Sequence, residues 1–172
     1  MFRKAILEDL QDISDIYDAI HTKEEAGNTS IGWVRKIYPT KETARASIEQ
    51  KDMFVEEVDG KIVAVAKINQ EQVPEYADAA WEFEVPEEQV MVLHTLVVDP
   101  RIKSHGYGRT FVSFYEKYAL ENGCHYLRMD TNDRNRSARK LYRELGYNEV
   151  SIVACEFNGI KGVRLVCLEK MI

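Results

Sequence analysis

No apolar run in this 172-residue chain approaches the roughly 18 residues that a membrane-crossing helix requires. The first residues, Met1 to Asp9, turn acidic before a signal-peptide core could form, so the sequence reads as that of a cytoplasmic protein with no membrane partner. Cysteine is scarce. Cys124, Cys155 and Cys167 form no C-x-x-C pair and no His-interleaved spacing, which argues against a metal site and for free thiols in a reducing compartment. Internal repeats, low-complexity stretches and long biased linkers are missing too, which excludes collagen-like and disordered architectures and leaves one domain over residues 1–172. Nor is there an excess of base: 23 Lys and Arg stand against 29 Asp and Glu, a net charge of −6 that disfavours a nucleic-acid partner.

What is present is a hydrophobic content of 45%, enough for a real core, and an uneven spread of charge. Residues 1–90 hold 10 basic and 20 acidic side chains, whereas residues 91–172 hold 13 and 9, so the halves carry −10 and +4. That asymmetry fits two differently charged sites, and equally fits solvated helix faces.

Local patterns order the elements. Arg3 to Ile6 can form a first strand, and Leu7, Leu10, Ile13, Ile16, Tyr17 and Ile20 recur at helical spacing. Residues 22–39 show no clear period. Thr40 can cap a helix running to about Gln50. The β-branched runs 53–58 and 61–68 flank Asp59-Gly60, and 148–157 and 160–168 flank Asn158-Gly159, two strong hairpin signals. The second hairpin, if regular, sets Cys155 opposite Gly162 and Cys167 opposite Val150. Between them lie an apolar strand at Val90 to Val98, a helix after a glycine-bearing turn at 101–108, a short strand at Tyr126 to Met129, and a helix at Asn135 to Leu145 stopped by Gly146. This mixture predicts an α/β (α+β) fold with one mixed sheet.

The chemistry concentrates after the apolar strand. Gly106 and Gly108 let the backbone turn tightly with its N–H groups outward at a helix start, a setting suited to phosphate, with Arg101, Lys103 and Arg109 adding positive charge. The spacing lacks the third glycine of a dinucleotide fingerprint and any Gly-Lys-Ser/Thr.

Lys103-Ser104-His105-Gly106-Tyr107-Gly108 resembles the pyrophosphate loop of the GCN5-related N-acetyltransferases (GNAT), whose pattern is Gln/Arg-x-x-Gly-x-Gly/Ala. Thirty residues on, Asn135-Arg136-Ser137-Ala138 and Tyr142 followed by Gly146-Tyr147 resemble the same family's second signature, Asn-x-x-Ala-x-x-x-Tyr with Gly-Phe/Tyr. Lys103 departs from the pattern, since an ammonium cannot make the bidentate contact of a guanidinium. The resemblance implies a mostly antiparallel sheet of about seven strands with helices on both faces, and an acetyl-CoA cofactor. By that resemblance the pantetheine arm pairs with the central strand at Leu96 and Val98. The pyrophosphate meets Lys103, Ser104, His105, Gly106, Tyr107, Gly108 and Arg109, with Thr110 as a hydroxyl contact. Asn135 and Ala138 also touch the cofactor, and Tyr142 lies near its sulfur.

A phenol such as Tyr142 is protonated at neutral pH and can protonate a departing thiolate. For the base that deprotonates the amine, Glu84 and His94 are the candidates, with Glu82 beside them. Period-two alternation puts His94 on the face of Leu96 and Val98. The sequence therefore reads as an N-acetyltransferase acting on a primary amine of a small molecule or peptide. A non-catalytic acyl-CoA-binding module and a fold-only partner-binding domain are the alternatives. The seven acids from Glu71 to Glu88, without an intervening Lys or Arg, would favour a cationic acceptor, though they also read as a solvated insertion. Trp33, Tyr38, Tyr76 and Trp81 could line its pocket. The apolar C-terminal hairpin, with Ile152, Val153, Val163, Leu165 and Val166, could pair with a second copy to give a homodimer.

Overall fold

Strand propensity, Asx-Gly turns and two amphipathic helix pairs resolve into one twisted sheet in the computed structural model of the chain, which describes residues 1–102 and 105–172. Its strands are β1 (Phe2–Lys4), β2 (Met53–Val58), β3 (Lys61–Asn69), β4 (Val90–Val98), β5 (Tyr126–Asn132), β6 (Asn148–Phe157) and β7 (Ile160–Met171). The helices are α1 (Leu10–Glu25), α2 (Lys41–Glu49), α3 (Tyr107–Glu121) and α4 (Arg136–Glu144). The sheet order is β1-β2-β3-β4-β5-β7-β6, antiparallel throughout except for the parallel pair β4–β5. No helix is long and apolar enough to cross a membrane among the described residues.

Both hairpin turns take the doubly left-handed form that Asx-Gly permits, with φ of 50° and 72° at Asp59-Gly60 and 50° and 77° at Asn158-Gly159. Thr40 caps α2 reciprocally: its hydroxyl accepts from the Thr43 N–H at 3.2 Å, and the Thr43 hydroxyl accepts from the Thr40 N–H at 2.9 Å. The first helix differs from the expectation. Residues 7–9 form a 3₁₀ turn, and α1 continues to Glu25, past the point where apolar periodicity stops. Glu24 explains the extension, since its carboxylate accepts from the Thr29 hydroxyl and the Ile31 and Gly32 N–H groups. The last helical turn is thereby tied to the connection that follows.

The register of the β6–β7 hairpin also departs from the regular one. Phe157 faces Ile160 as expected, but a bulge then sets Cys155 opposite Val163 and Cys167 opposite Ser151. All three cysteines are free.

Three apolar clusters cover the sheet. α3 and α4 lie on one face, over Phe54, Met91, Leu93, Leu127 and Met129. α1 and α2 cover the N-terminal half of the other face, over Val55, Val65 and Val97. The C-terminal half of that second face is covered by the connection 70–89, through Tyr76, Trp81 and Val85 against Val90, Val92, Val163 and Leu165. Within the apolar hairpin Val153, Val163, Leu165 and Val166 are thus buried in the chain's own core, and Ile152 alone of the five is exposed.

Candidate active site

Parallel strands β4 and β5 pair over four residues only, from Val90↔Tyr126 to Leu93↔Met129. Beyond that point β4 follows β3 and β5 follows β7, so the two diverge as a fork. Between the prongs lies a cavity of about 450 Å³, bounded by His94 to Val98 and by Asp130 to Asn132. Helix α4 contributes Asn135, Ala138 and Tyr142 to it, the α1–α2 connection Trp33 and Tyr38, and the β6–β7 hairpin Phe157 and Ile160.

A bulge shapes the β4 prong. Pairing with β3 shifts by one residue between Lys67↔His94 and Val65↔Val97, and Thr95 absorbs the extra residue at φ 55°. The Thr95 hydroxyl is hydrogen-bonded to that of Tyr38. Leu96 and Val98 consequently pack on the α3–α4 face with Leu93, while Val97 joins the α1–α2 face. His94 therefore stands on the opposite face from Leu96 and Val98. Strict alternation fails because the bulge resets it.

The fork opens to both faces of the sheet, with Tyr142 lining it on one face and Asp130 and His94 on the other. On β5, Leu127 and Met129 point to α3 and α4, so Arg128 and Asp130 point the other way. Asp130 accepts a hydrogen bond from the Tyr76 hydroxyl at 2.7 Å, and burial with nearby Glu75 lifts its carboxyl from 3.8 to about 7. Tyr142, on the α3–α4 face, is buried, which holds its phenol proton well above the usual tyrosine range. Asp130 is a residue the sequence reading missed. Its only signal was the alternation Tyr126-Leu-Arg-Met-Asp, which puts two charges on one face of a strand buried on both sides.

The two expected base candidates fare differently. His94 reaches the cavity, with Nε2 3.0 Å from the Asn69 side-chain oxygen. That oxygen also accepts from the Glu71 N–H, so Nε2 carries the proton. Burial and Lys67 push the ring down to about 4, leaving it a neutral, weak proton acceptor at pH 7. Glu84 is exposed and does not line the cavity. Its neighbour Phe83 packs on Tyr126 at the start of β5, about 13 Å along the strand from Asp130.

Of the seven carboxylates in the acidic connection, Glu71 alone lines the cavity, and it is paired with Lys67 at 2.8 Å. Arg128 and Glu169 hold the rest in place from below. Arg128 bonds Glu169, Gln72 and the Phe83 carbonyl and lies 4.2 Å from the Trp81 ring, while Glu169 accepts from the Glu82 and Phe83 N–H groups. Of the four aromatics expected at the pocket, Trp33 and Tyr38 reach it, whereas Tyr76 and Trp81 pack against each other beneath the connection.

At the start of α3, Gly106 occupies the helix cap at φ 77°, which only glycine adopts without strain, and the first-turn N–H groups follow it. Gly108 permits a close approach of α3 to α4: a Cβ there would come 3.2 Å from a Leu141 methyl, which would have to give way slightly. Arg109 is paired with Glu144 at 2.7 Å. The Thr110 hydroxyl lies 3.0 and 3.1 Å from the Glu56 carboxylate oxygens and 3.0 Å from the Tyr107 carbonyl. His105 is exposed, its ring 5.5 Å from that of Tyr107. Lys103 and Ser104 lie outside the described residues. Asn135 caps α4, its oxygen accepting the Ala138 N–H at 3.2 Å, which leaves its NH₂ for the cavity. Among the described residues no cluster of three or more His, Cys, Asp or Glu could hold a metal.

Residues 10–147 match the model of the acetyltransferase (GNAT) family. An uncharacterised N-acetyltransferase of Bacillus subtilis (strain 168), YhfO, is 36% identical over 61 residues, 36% of this chain and 41% of that protein. The chain spans about two fifths of the length of the curated relatives it matches. In fold, a GNAT-family acetyltransferase from Streptococcus agalactiae 2603 superposes with a TM-score of 0.79 at 20% identity, covering 100% of this chain and 95% of that one. The acetyltransferase yncA of Salmonella typhimurium, solved with its cofactor acetyl-CoA, superposes with a TM-score of 0.70 at 16% identity, covering 99% and 92%.

Proposed function

The chain belongs to the acetyltransferase (GNAT) family, and from that premise we propose that it moves an acetyl group from acetyl-CoA to a primary amine, the amine entering on the Asp130 face and the cofactor on the Tyr142 face. One observation carries this reading. The fork places a carboxylate that titrates near neutrality on one side and a firmly protonated phenol on the other. An amine needs the first to lose its proton, and a departing thiolate needs the second to gain one.

The residues present fit the cofactor. The β5-facing edge of Leu96 to Val98 has no strand partner among the described residues, so its backbone groups are open to an extended arm. The left-handed Gly106 cap and the following amides suit a pyrophosphate, and Asn135 and the small Ala138 line the cavity beside Leu96 to Val98. Acetyl-CoA, when bound, supplies an acyl carbon activated by its thioester. Open N–H groups of the β4 prong would orient and polarise its carbonyl. Asp130 would take one proton of the incoming ammonium, Tyr142 would give its proton to the leaving sulfur, and the second proton that nitrogen sheds on becoming an amide would restore the phenol. His94, neutral and anchored to Asn69, offers Nδ1 as an acceptor that orients the amine.

Calorimetric titration with acetyl-CoA and with desulfo-CoA, followed by thiol release in the presence of amines, tests the reading. Saturable binding with amine-dependent release is the expected result. Binding without release with any amine would favour the non-catalytic acyl-CoA module instead, and absence of binding would exclude both.

A further inference from the structure

Lys67, His94 and Asp130 stand in one row on the acceptor face. Lys67 is opposite His94 in the β3–β4 register, and His94 and Asp130 each follow the last β4–β5 pair, Leu93↔Met129. The row spans two strand spacings, about 10 Å before the fork widens it. A cation therefore stands at one end and a proton-accepting carboxylate at the other. The Lys67 side chain is 21% exposed and lines the cavity, and its partner Glu71 is 62% exposed, at the mouth.

The room beside this row is roofed. A Cβ on Gly159 would meet Ile37 at 3.3 Å, so the tip of the β6–β7 hairpin touches the α1–α2 connection. Under that bridge the walls are Trp33, Tyr38, Phe157 and Ile160. A cavity of 450 Å³ that also admits the cofactor's arm leaves space for a small molecule rather than for a folded polypeptide.

We propose that the acceptor is a free α-amino acid with an apolar side chain, its carboxylate received by Lys67 and its amino group by Asp130. The proposal rests on the acetyltransferase reading and narrows its substrate. Three bonds separate the nitrogen from the carboxylate oxygens of an amino acid, and the reach of the Lys67 and Asp130 side chains spans the remainder of the row. Glu71, being exposed, can yield its place on Lys67 to a substrate carboxylate or share it, since one ion pair replaces another. A polyamine fits worse, because its second ammonium would meet the like charge of Lys67 and compete with it for Glu71. The apolar walls receive the side chain.

The test compares phenylalanine, 2-phenylethylamine and 1,4-diaminobutane as acceptors at saturating acetyl-CoA. Expected is a kcat/KM for phenylalanine at least tenfold above that of 2-phenylethylamine, the size of one charge-assisted contact, with the diamine lowest. K67M should bring the ratio of the first two close to one, and K67R should restore much of it. Independently of turnover, calorimetry of phenylalanine against the protein with desulfo-CoA should show a Kd that K67M raises about tenfold. Equal or better use of either amine by the native protein overturns the assignment, as does a ratio that K67M leaves unchanged. Failure to bind acetyl-CoA would overturn the acetyltransferase reading itself. Cofactor binding and amine turnover without a preference for the amino acid would overturn this inference alone.

Discussion

Asp130→Asn removes a charge while keeping an oxygen to accept from Tyr76, so it separates the cost of that charge from the packing around it. In the native protein burial lifts this carboxyl from 3.8 to about 7. An acid with a folded pKa above its unfolded one binds a proton more tightly when folded. Native stability therefore falls as pH rises from about 4 to about 7 and stays reduced above that. At about 1.4 kcal/mol per pH unit the penalty above pH 7 is at most ~4 kcal/mol, less where the cavity lets water reach the carboxylate. The Asn variant should match the native protein at pH 4 and exceed it at pH 8, by roughly 2–4 °C in Tm for each kcal/mol. Activity should move the opposite way. Without the carboxylate, kcat falls about 10²- to 10⁴-fold, and the native limb, which drops as pH falls below about 7, disappears. Thermal unfolding at the two pH values and a kcat–pH profile at saturating acceptor measure both effects. A variant that keeps native turnover, or keeps a limb near pH 7, would refute Asp130 as the base. A variant no more stable at pH 8 than the native protein would refute the buried charge.

Three further outcomes are expected. Tyr142→Phe lowers kcat about 10²-fold or more while the calorimetric Kd for acetyl-CoA stays nearly unchanged, because the phenol acts on the leaving group rather than on binding. Gly106→Ala forces a Cβ into a left-handed cap at φ 77°, which costs about 1–2 kcal/mol; a lower Tm and a weaker Kd for acetyl-CoA should appear together. Arg128→Met leaves Glu169 buried and unpaired beneath the 70–89 connection, and denaturant unfolding should show a loss of about 3–5 kcal/mol.

The parts of this structure that were legible in the sequence are those governed by short-range rules. Asp59-Gly60 and Asn158-Gly159 each announce a hairpin because few other pairs adopt two successive left-handed residues. Thr40 and Asn135 announce helix starts because their side chains satisfy N–H groups three residues on. The Asn135, Ala138 and Tyr142 motif was legible for the same reason, since it is local, and all three residues line the cavity. What escaped depends on distant partners. The Thr95 bulge arises from the β3–β4 register, and it alone moves His94 to the other face. Asp130 acquires its unusual proton affinity from burial and from Glu75, more than fifty residues away along the chain, against the Tyr76 hydrogen bond, which lowers it. The anchoring of the acid run escaped because Arg128 and Glu169, which hold its backbone, lie on β5 and β7.

The fork between β4 and β5 has a mechanical consequence. Among the described residues, four residue pairs are the only strand seam joining β1–β4 to β5, β7 and β6, so the hydrogen-bonded ladder between the two halves of the sheet is short. An extended molecule lying in the gap and bonded to both prongs would act as a rivet, completing a seam that the polypeptide leaves half sewn. Amide exchange along Leu96 to Val98 and Asp130 to Asn132 should then slow in concert when the gap is filled, while the hairpins at the outer margins keep their own pace.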